Sequence, residues 1–334
     1  MTFLPKLQQS FSKGLLSEKY YRLLLQFYTS YQIALEKHHI NKSLCEPIFS
    51  TFLDLVEKQI QTPFLFSPYH HQILDPFNYY KFGLDFFKPL IDIEHSTVKG
   101  QNHLLEISRK LEAKENVIFL ANHQIEADPQ AISILLEDTY PKLAKEIIFV
   151  AGERVTTDPL AVPFSLGCNL LCIYSKKYID QPPELKTNKQ LHNKRTMEIM
   201  LQLLCEGGHS IYVAPSGGRD RADESGRVQI APFDPSSIEL FYLMTQRASQ
   251  PTSFYPMTLA TYDLLPPPDT VQLELGESRR TKRGKVHLCV GAQIDMENIP
   301  GLEDSDKRKK RELRAEFIWS EVCKEYNNFP ISKH

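Results

Sequence analysis

Val117-Ile118-Phe119-Leu120-Ala121-Asn122-His123-Gln124-Ile125-Glu126-Ala127-Asp128-Pro129-Gln130-Ala131-Ile132-Ser133-Ile134-Leu135-Leu136 is the stretch from which the fold can be read. Its first five residues form an unbroken apolar run, the pattern of a buried strand. From Pro129 onward the residues read as a helix with proline in its first turn. A strand handing over to a helix across a polar loop is the repeating unit of α/β proteins. Here the loop carries a histidine and an aspartate, and open α/β sheets place their chemistry on such loops. A short loop can curl so that the Asp128 carboxylate meets one ring nitrogen of His123, leaving the other to accept a proton from an alcohol. The same residues also suit a plain hydrogen-bonded turn, with Asp128 or Asn122 capping the next helix. The rest of the chain must decide between the two.

Working outward, short apolar runs and helical patterns alternate from residue 100 onward. Strands are expected at 117–121, 147–151, 170–175, 210–214, 254–260, 271–276 and 285–291, and helices at 129–138, 187–206, 235–247 and 305–327. That alternation predicts a mixed, largely parallel sheet flanked by helices. Upstream, Ser17-Glu18 opens a run whose apolar residues (Tyr20, Tyr21, Leu24, Leu25, Phe27, Tyr28, Tyr31) recur at helical spacing, and a second such run carries Ile48, Phe49, Phe52, Leu53 and Val56. Their aromatic stripe reads as packing between helices. Residues 62–92, rich in proline and aromatics, read as a connector, with His70-His71 a packed or solvated pair. The fold class expected is α/β: a small N-terminal helical bundle over 1–72 and a larger α/β domain over 73–334.

The 334 residues carry a formal net charge of -2, so the molecule as a whole has no bias toward nucleic acid. No apolar stretch approaches the roughly 20 residues that span a bilayer. The N-terminus shows neither a signal-peptide core nor an Arg- and Ser-rich transit segment. Six scattered cysteines, with no Cys-x2-Cys pair, read as reduced thiols. A cytoplasmic protein is the expectation. Glycine-rich nucleotide loops and the Gly-x-Ser-x-Gly elbow are absent, which argues against nucleotide chemistry and the usual serine hydrolase. No cofactor and no metal are expected.

Two further clusters bear on function. Ala214-Pro215-Ser216-Gly217-Gly218-Arg219-Asp220-Arg221 follows an apolar strand. Arginines at i and i+2 can converge on one anion, and guanidinium matches phosphate bidentately. They can equally pair with Asp220, Asp223 or Glu224 at the surface. Tyr174-Ser175-Lys176-Lys177-Tyr178 ends another strand, where paired lysines are commonly just solvated. If the three strand ends share one edge, a base stands beside a cationic cradle, as a phosphorylated alcohol would require.

Asn122-His123-Gln124-x-Glu126-Ala127-Asp128-Pro129, Phe149-Val150-Ala151-Gly152-Glu153-Arg154-Val155, Tyr174-Ser175-Lys176-Lys177 and Ala214 to Arg221, in this order, resemble the soluble glycerol-3-phosphate acyltransferases of the plastid and chlamydial type. Met257-Thr258-Leu259-Ala260 and Leu265-Pro266-Pro267-Pro268 continue the match, which runs from about residue 60 to 280. The start at Met1 without a transit segment suggests the bacterial form. The resemblance implies transfer of a fatty acyl group from acyl-acyl carrier protein, or acyl-CoA, to the sn-1 hydroxyl of glycerol 3-phosphate, the first step of phospholipid synthesis. It implies His123 as general base, oriented by Asp128, and a phosphate site of Arg219, Arg221, Lys177 and Tyr178. Tyr178 departs from the family's histidine and brings a hydroxyl without a cation. Ile125 stands where a small polar residue is common.

An acidic carrier protein calls for a basic docking patch. Arg279-Arg280-Thr281-Lys282-Arg283-Gly284-Lys285, which looks like a hairpin turn, and Lys307-Arg308-Lys309-Lys310-Arg311, on a helix side, are the candidates. A transient contact with a membrane surface remains open. Competing readings are a lysophosphatidate acyltransferase, a metal-dependent phosphohydrolase using His123, Glu126 and Asp128 as ligands, and a non-catalytic carrier- or lipid-binding protein.

Overall fold

The structure is a computed structural model and describes residues 2–175, 179–268 and 275–330. Its strands are β1 (Tyr69–His70), β2 (Thr97–Lys99), β3 (Asn116–Ala121), β4 (Ile148–Gly152), β5 (Asn169–Ile173), β6 (Ser210–Val213), β7 (Arg221–Ala222), β8 (Val228–Gln229), β9 (Thr252–Ala260) and β10 (His287–Val290). Its helices are α1 (Phe3–Ser12), α2 (Glu18–Glu36), α3 (Cys45–Gln61), α4 (Tyr79–Phe87), α5 (Gln101–Glu112), α6 (Asp128–Leu136), α7 (Pro141–Glu146), α8 (Glu153–Thr157), α9 (Val162–Ser165), α10 (Lys186–Glu206), α11 (Pro235–Thr245) and α12 (Lys307–Asn327).

Eight strands form one sheet in the order β1-β5-β4-β6-β3-β9-β10-β2. The inner run from β5 to β9 is parallel throughout, and within this sheet β1–β5 and β9–β10 pair antiparallel. The expected fold class, α/β with a mostly parallel sheet between helices, is what the chain adopts. β3 lies between β6 and β9, with Leu120 opposite Val213 and Ala121 opposite Met257. All six of its residues are buried, which explains its lack of polar alternation. The period of two still operates. Ile118 and Leu120 pack with α10, α11 and α12 on one face, while Val117, Phe119 and Ala121 pack with α5, α6 and α7 on the other.

The N-terminal helices pack around aromatic rings. Phe49 lies within ring-contact distance of Phe3, Phe27, Tyr28, Tyr31, Phe52 and Phe86. Ser17 caps α2 by accepting from the Tyr20 backbone N–H, as its sequence position suggests. This core does not stop at the helices: Ile125, Ala127, Ala131 and Leu160 belong to the same cluster. The bundle therefore buttresses the loop that carries His123. Ile125, fully buried, is one of the side chains that joins them.

The reading of 62–92 as a connector does not single out α4. Its signal is the Asn78 cap, which accepts from the Lys81 N–H at 2.8 Å; prolines on both sides and an internal Gly83 obscure it. α5 likewise has no counterpart among the helices expected from the sequence. The expected strand at 271–276 lies mostly outside the described residues.

Phe86 is fully buried, and its ring meets those of Phe27, Tyr31, Phe49, Phe52, Phe82, Phe87 and Phe164. Phe86→Ala is expected to lower unfolding stability by about 3–5 kcal/mol, measured by urea denaturation.

Candidate functional site

The parallel strands β3 and β6 end at the same edge of the sheet, and their loops meet there. The amide N–H of Asp220, in the loop after β6, donates to the His123 carbonyl at 2.7 Å. Within the loop after β3, His123 Nδ1 lies 2.8 Å from Asp128 Oδ2. That carboxylate oxygen also accepts from the backbone N–H of Gln124 at 2.8 Å and of Ile125 at 3.3 Å. The other oxygen accepts from Thr261 Oγ1 at 2.5 Å. The chain thus curls back at the first turn of α6, and Asp128 closes the curl. Asp128 is 1% exposed and His123 30%, so the carboxylate is sequestered while the imidazole reaches solvent. A carboxylate against Nδ1 places the ring proton there and leaves Nε2 as the acceptor. The plain-turn reading captures the backbone contacts but not this pairing.

Behind the histidine stands a polar layer that the sequence did not disclose. Asn122 pairs with β9 through its side chain, donating to the Leu259 carbonyl at 2.9 Å and accepting from the Leu259 N–H at 2.8 Å. Its amide also donates to Asp220 Oδ2 at 2.8 Å. Gln124 accepts from the N–H groups of Thr261 and Tyr262 and donates to Asp220 at 3.2 Å. The Tyr212 hydroxyl donates to the Asn122 carbonyl at 2.8 Å; burial pushes its phenol well above the usual range, so it remains a donor. Asp220 is fully buried. Burial pushes its carboxyl up to about 6, against the opposing pull of its bonds from Asn122, the Ala231 N–H and Gln124, and of His123. Asp220 therefore does not pair with the arginines beside it. The alternation Arg219-Asp220-Arg221 was the available signal: successive side chains of an extended segment point to opposite sides.

Arg219 donates from Nη2 to both oxygens of Glu277, at 2.6 and 2.7 Å; the Glu277 side chain is buried and that of Arg219 is partly exposed. Arg221 donates from Nη1 to the Pro268 carbonyl. The two arginines thus hold partners distant in sequence rather than the neighbouring Asp223 and Glu224. Lys177 and Tyr178 lie outside the described residues. Ser216 makes a turn contact with the Gly218 carbonyl. Residues 279–285, read as a hairpin turn, hold neither regular strand nor turn, and Gly284 bridges to Ile91. Arg279 turns inward and binds Glu126 and Asp158, so it belongs to the interior and not to a docking face. Among the described residues no group of three or more His, Cys, Asp or Glu side chains could hold a metal ion. Glu126, a ligand in the phosphohydrolase reading, is engaged by Arg279. No helix among them is long and apolar enough to cross a membrane.

The acyltransferase family model matches residues 96–260, which include the His123 loop and the arginine loop. A chloroplastic glycerol-3-phosphate acyltransferase of Cucurbita moschata is 41% identical over 276 residues, 82% of this chain and 60% of that protein. Residues 96–260 thus form an acyltransferase domain. A chloroplastic glycerol-3-phosphate acyltransferase of Spinacia oleracea is 37% identical, over 85% of this chain and 60% of that protein. The chain thus spans about 60% of the length of the curated relatives it matches. The resemblance drawn from the sequence blocks is borne out. A solved structure, a 1-acyl-sn-glycerophosphate (LPA) acyltransferase from Thermotoga maritima, is similar over 74% of this chain and 78% of that one, with 18% identity and a TM-score of 0.40. The expected cytoplasmic location is corrected: the curated relatives are chloroplastic. That expectation leaned on the N-terminal residues, and a chain spanning part of its relatives carries no information there about a leader.

Asp220→Asn offers one acceptor oxygen where three donors point, and is expected to cost about 1–3 kcal/mol. The wild-type carboxyl is raised in the folded state, so its contribution is full below the ordinary value of 3.8 and lost as pH rises through about 6. The stability gap between wild type and variant should therefore narrow from about pH 4 to about pH 7, measured by urea denaturation across that range.

Proposed function

We propose that this chain transfers a fatty acyl group from a thioester to the sn-1 hydroxyl of glycerol 3-phosphate, giving lysophosphatidate. The observation that carries the proposal is the His123–Asp128 pair at 2.8 Å, on a loop bonded directly to the loop of Arg219 and Arg221. An alcohol-activating base thus adjoins cations suited to a phosphate, and the chain's relatives are named for that acceptor.

In the proposed reaction His123 Nε2 takes the hydroxyl proton as that oxygen attacks the thioester carbonyl. Asp128 holds the ring and stabilises the imidazolium. The tetrahedral intermediate then collapses, the carbon–sulfur bond breaks, and the imidazolium returns its proton to the departing thiolate. A positioned base of this kind contributes roughly 10²- to 10⁴-fold. Arg219 and Arg221, with Lys177 and Tyr178, hold the phosphate. A guanidinium fork matches phosphate oxygens in a way an ammonium does not. The direct route needs no acyl-enzyme, in line with Ser216 serving a turn. Acyl-acyl carrier protein or acyl-CoA is the donor.

Thiol release from an acyl-CoA or acyl-carrier donor tests the reaction. Release should depend on glycerol 3-phosphate and fall at least about 10²-fold in His123→Ala. Release independent of glycerol 3-phosphate would point to a thioesterase and overturn the assignment.

With Arg279 interior, the exposed Lys307, Arg308, Lys309 and Arg311 are the stronger docking candidate for an acidic carrier. The double variant Arg308→Glu/Lys309→Glu should raise KM for the carrier-bound donor roughly tenfold and leave KM for acyl-CoA unchanged. An equal rise for both donors would remove this surface from consideration.

A further inference from the structure

The segment Gly276 to Arg279 crosses the site edge without helix or strand, and its side chains point two ways. Arg279, 5% exposed, binds Glu126 Oε2 through Nε and Nη2 at 3.0 and 2.7 Å. Its Nη2 also reaches Asp158 Oδ2 at 3.2 Å, and its Nη1 donates to the Glu277 carbonyl at 2.9 Å. The Gly276 N–H donates to Asp158 Oδ2 at 3.0 Å. Glu277 turns its carboxylate the opposite way, onto Arg219. Four consecutive residues therefore tie together the base loop at Glu126, the segment after α8 at Asp158, and the arginine loop at Arg219.

We propose that Glu277 is a positioning residue for the anion site: its carboxylate sets the direction of the Arg219 guanidinium, and Arg279 fixes Glu277 relative to the His123 loop. The proposal rests on the phosphate-bearing acceptor inferred above.

The geometry separates direction from charge. Both Glu277 oxygens engage a single nitrogen, Nη2, so the grip anchors that end of the guanidinium and aims it, while Nη1 and Nε carry donors that Glu277 does not take. A buried carboxylate against Arg219 also cancels much of its net charge. Arg219, Glu277, Arg279, Glu126 and Asp158 together sum to one negative charge (two cations and three anions). Were Coulomb attraction the controlling term, Glu277 would weaken anion binding and its neutralisation would improve it. Were orientation controlling, neutralisation would loosen the fork and weaken binding, because bidentate recognition depends on a fixed plane. The two accounts predict opposite signs.

The test compares wild type with Glu277→Gln, and with Glu277→Asp, which keeps the charge but shortens the reach. KM is measured separately for glycerol 3-phosphate and for the acyl donor, and inorganic phosphate binding is measured by calorimetry. Glu277→Gln should raise KM for glycerol 3-phosphate roughly tenfold, with donor KM unchanged, and weaken phosphate binding to match; Glu277→Asp should fall between. A merely structural role would lower the active fraction, and so apparent kcat, at unchanged KM. Unchanged or tighter binding in Glu277→Gln overturns the proposal, as does a wild type that binds no phosphate. If Glu277→Gln does not fold, Glu277→Asp is read by the same criteria. Wild-type turnover with glycerol 3-phosphate tests the functional reading by itself. Phosphate affinity tests this one even if that turnover is absent.

Discussion

Asp128, Asp158, Asp220 and Glu277 are all withdrawn from water at one edge of the sheet. A buried carboxylate is tolerated only where the protein replaces its hydration. Here each receives donors from a different part of the chain. Asp128 takes them from His123, its own loop and Thr261, and Asp220 from Asn122, Gln124 and Ala231. Asp158 takes them from Leu160, Gly276 and Arg279, and Glu277 from Arg219. Satisfying these four groups fixes where the strand-end loops lie relative to one another. The exposed imidazole and the arginine loop inherit that arrangement.

The bundle enters the same scheme from the other side. Its aromatic core extends to Ile125 and Ala127, so the base loop is held by polar contacts on its inner side and by apolar packing against the helices. A loop with a buried apolar residue at its centre has little freedom to rearrange. This gives the isoleucine at position 125 a packing role without assigning it any chemistry.

Much of this was legible in the sequence because it is local. The apolar run 117–121, the proline after Asp128 and the Ser17 cap each signal their element within a few residues. The His123–Asp128 pair is legible for the same reason, since its partners share one loop. What escaped was long-range: Thr261 closing on Asp128, Gln124 reaching Asp220 and Tyr262, and Glu277 holding Arg219. No spacing rule connects positions that only the sheet order brings together. Arg279 reads as a docking residue in the sequence because a basic run looks alike whether its charges face water or buried carboxylates. α4 escaped because its flanking prolines and internal glycine carry stronger local signals than its cap.

The position of β3 has a consequence for how the molecule comes into being. Its two neighbours, β6 and β9, lie far downstream, so the central strand has no partner on either edge until residues 210–213 and 252–260 have been made. Contacts of such large sequence separation pay loop-closure entropy before they return any stabilisation, and they fold slowly. A chain growing from its N-terminus would carry His123 and Asp128 long before Thr261 exists to complete the clamp. During that interval an apolar strand stands with both edges open, a state prone to association. The contact order that makes the site rigid once formed also makes it among the last parts of the molecule to acquire its shape.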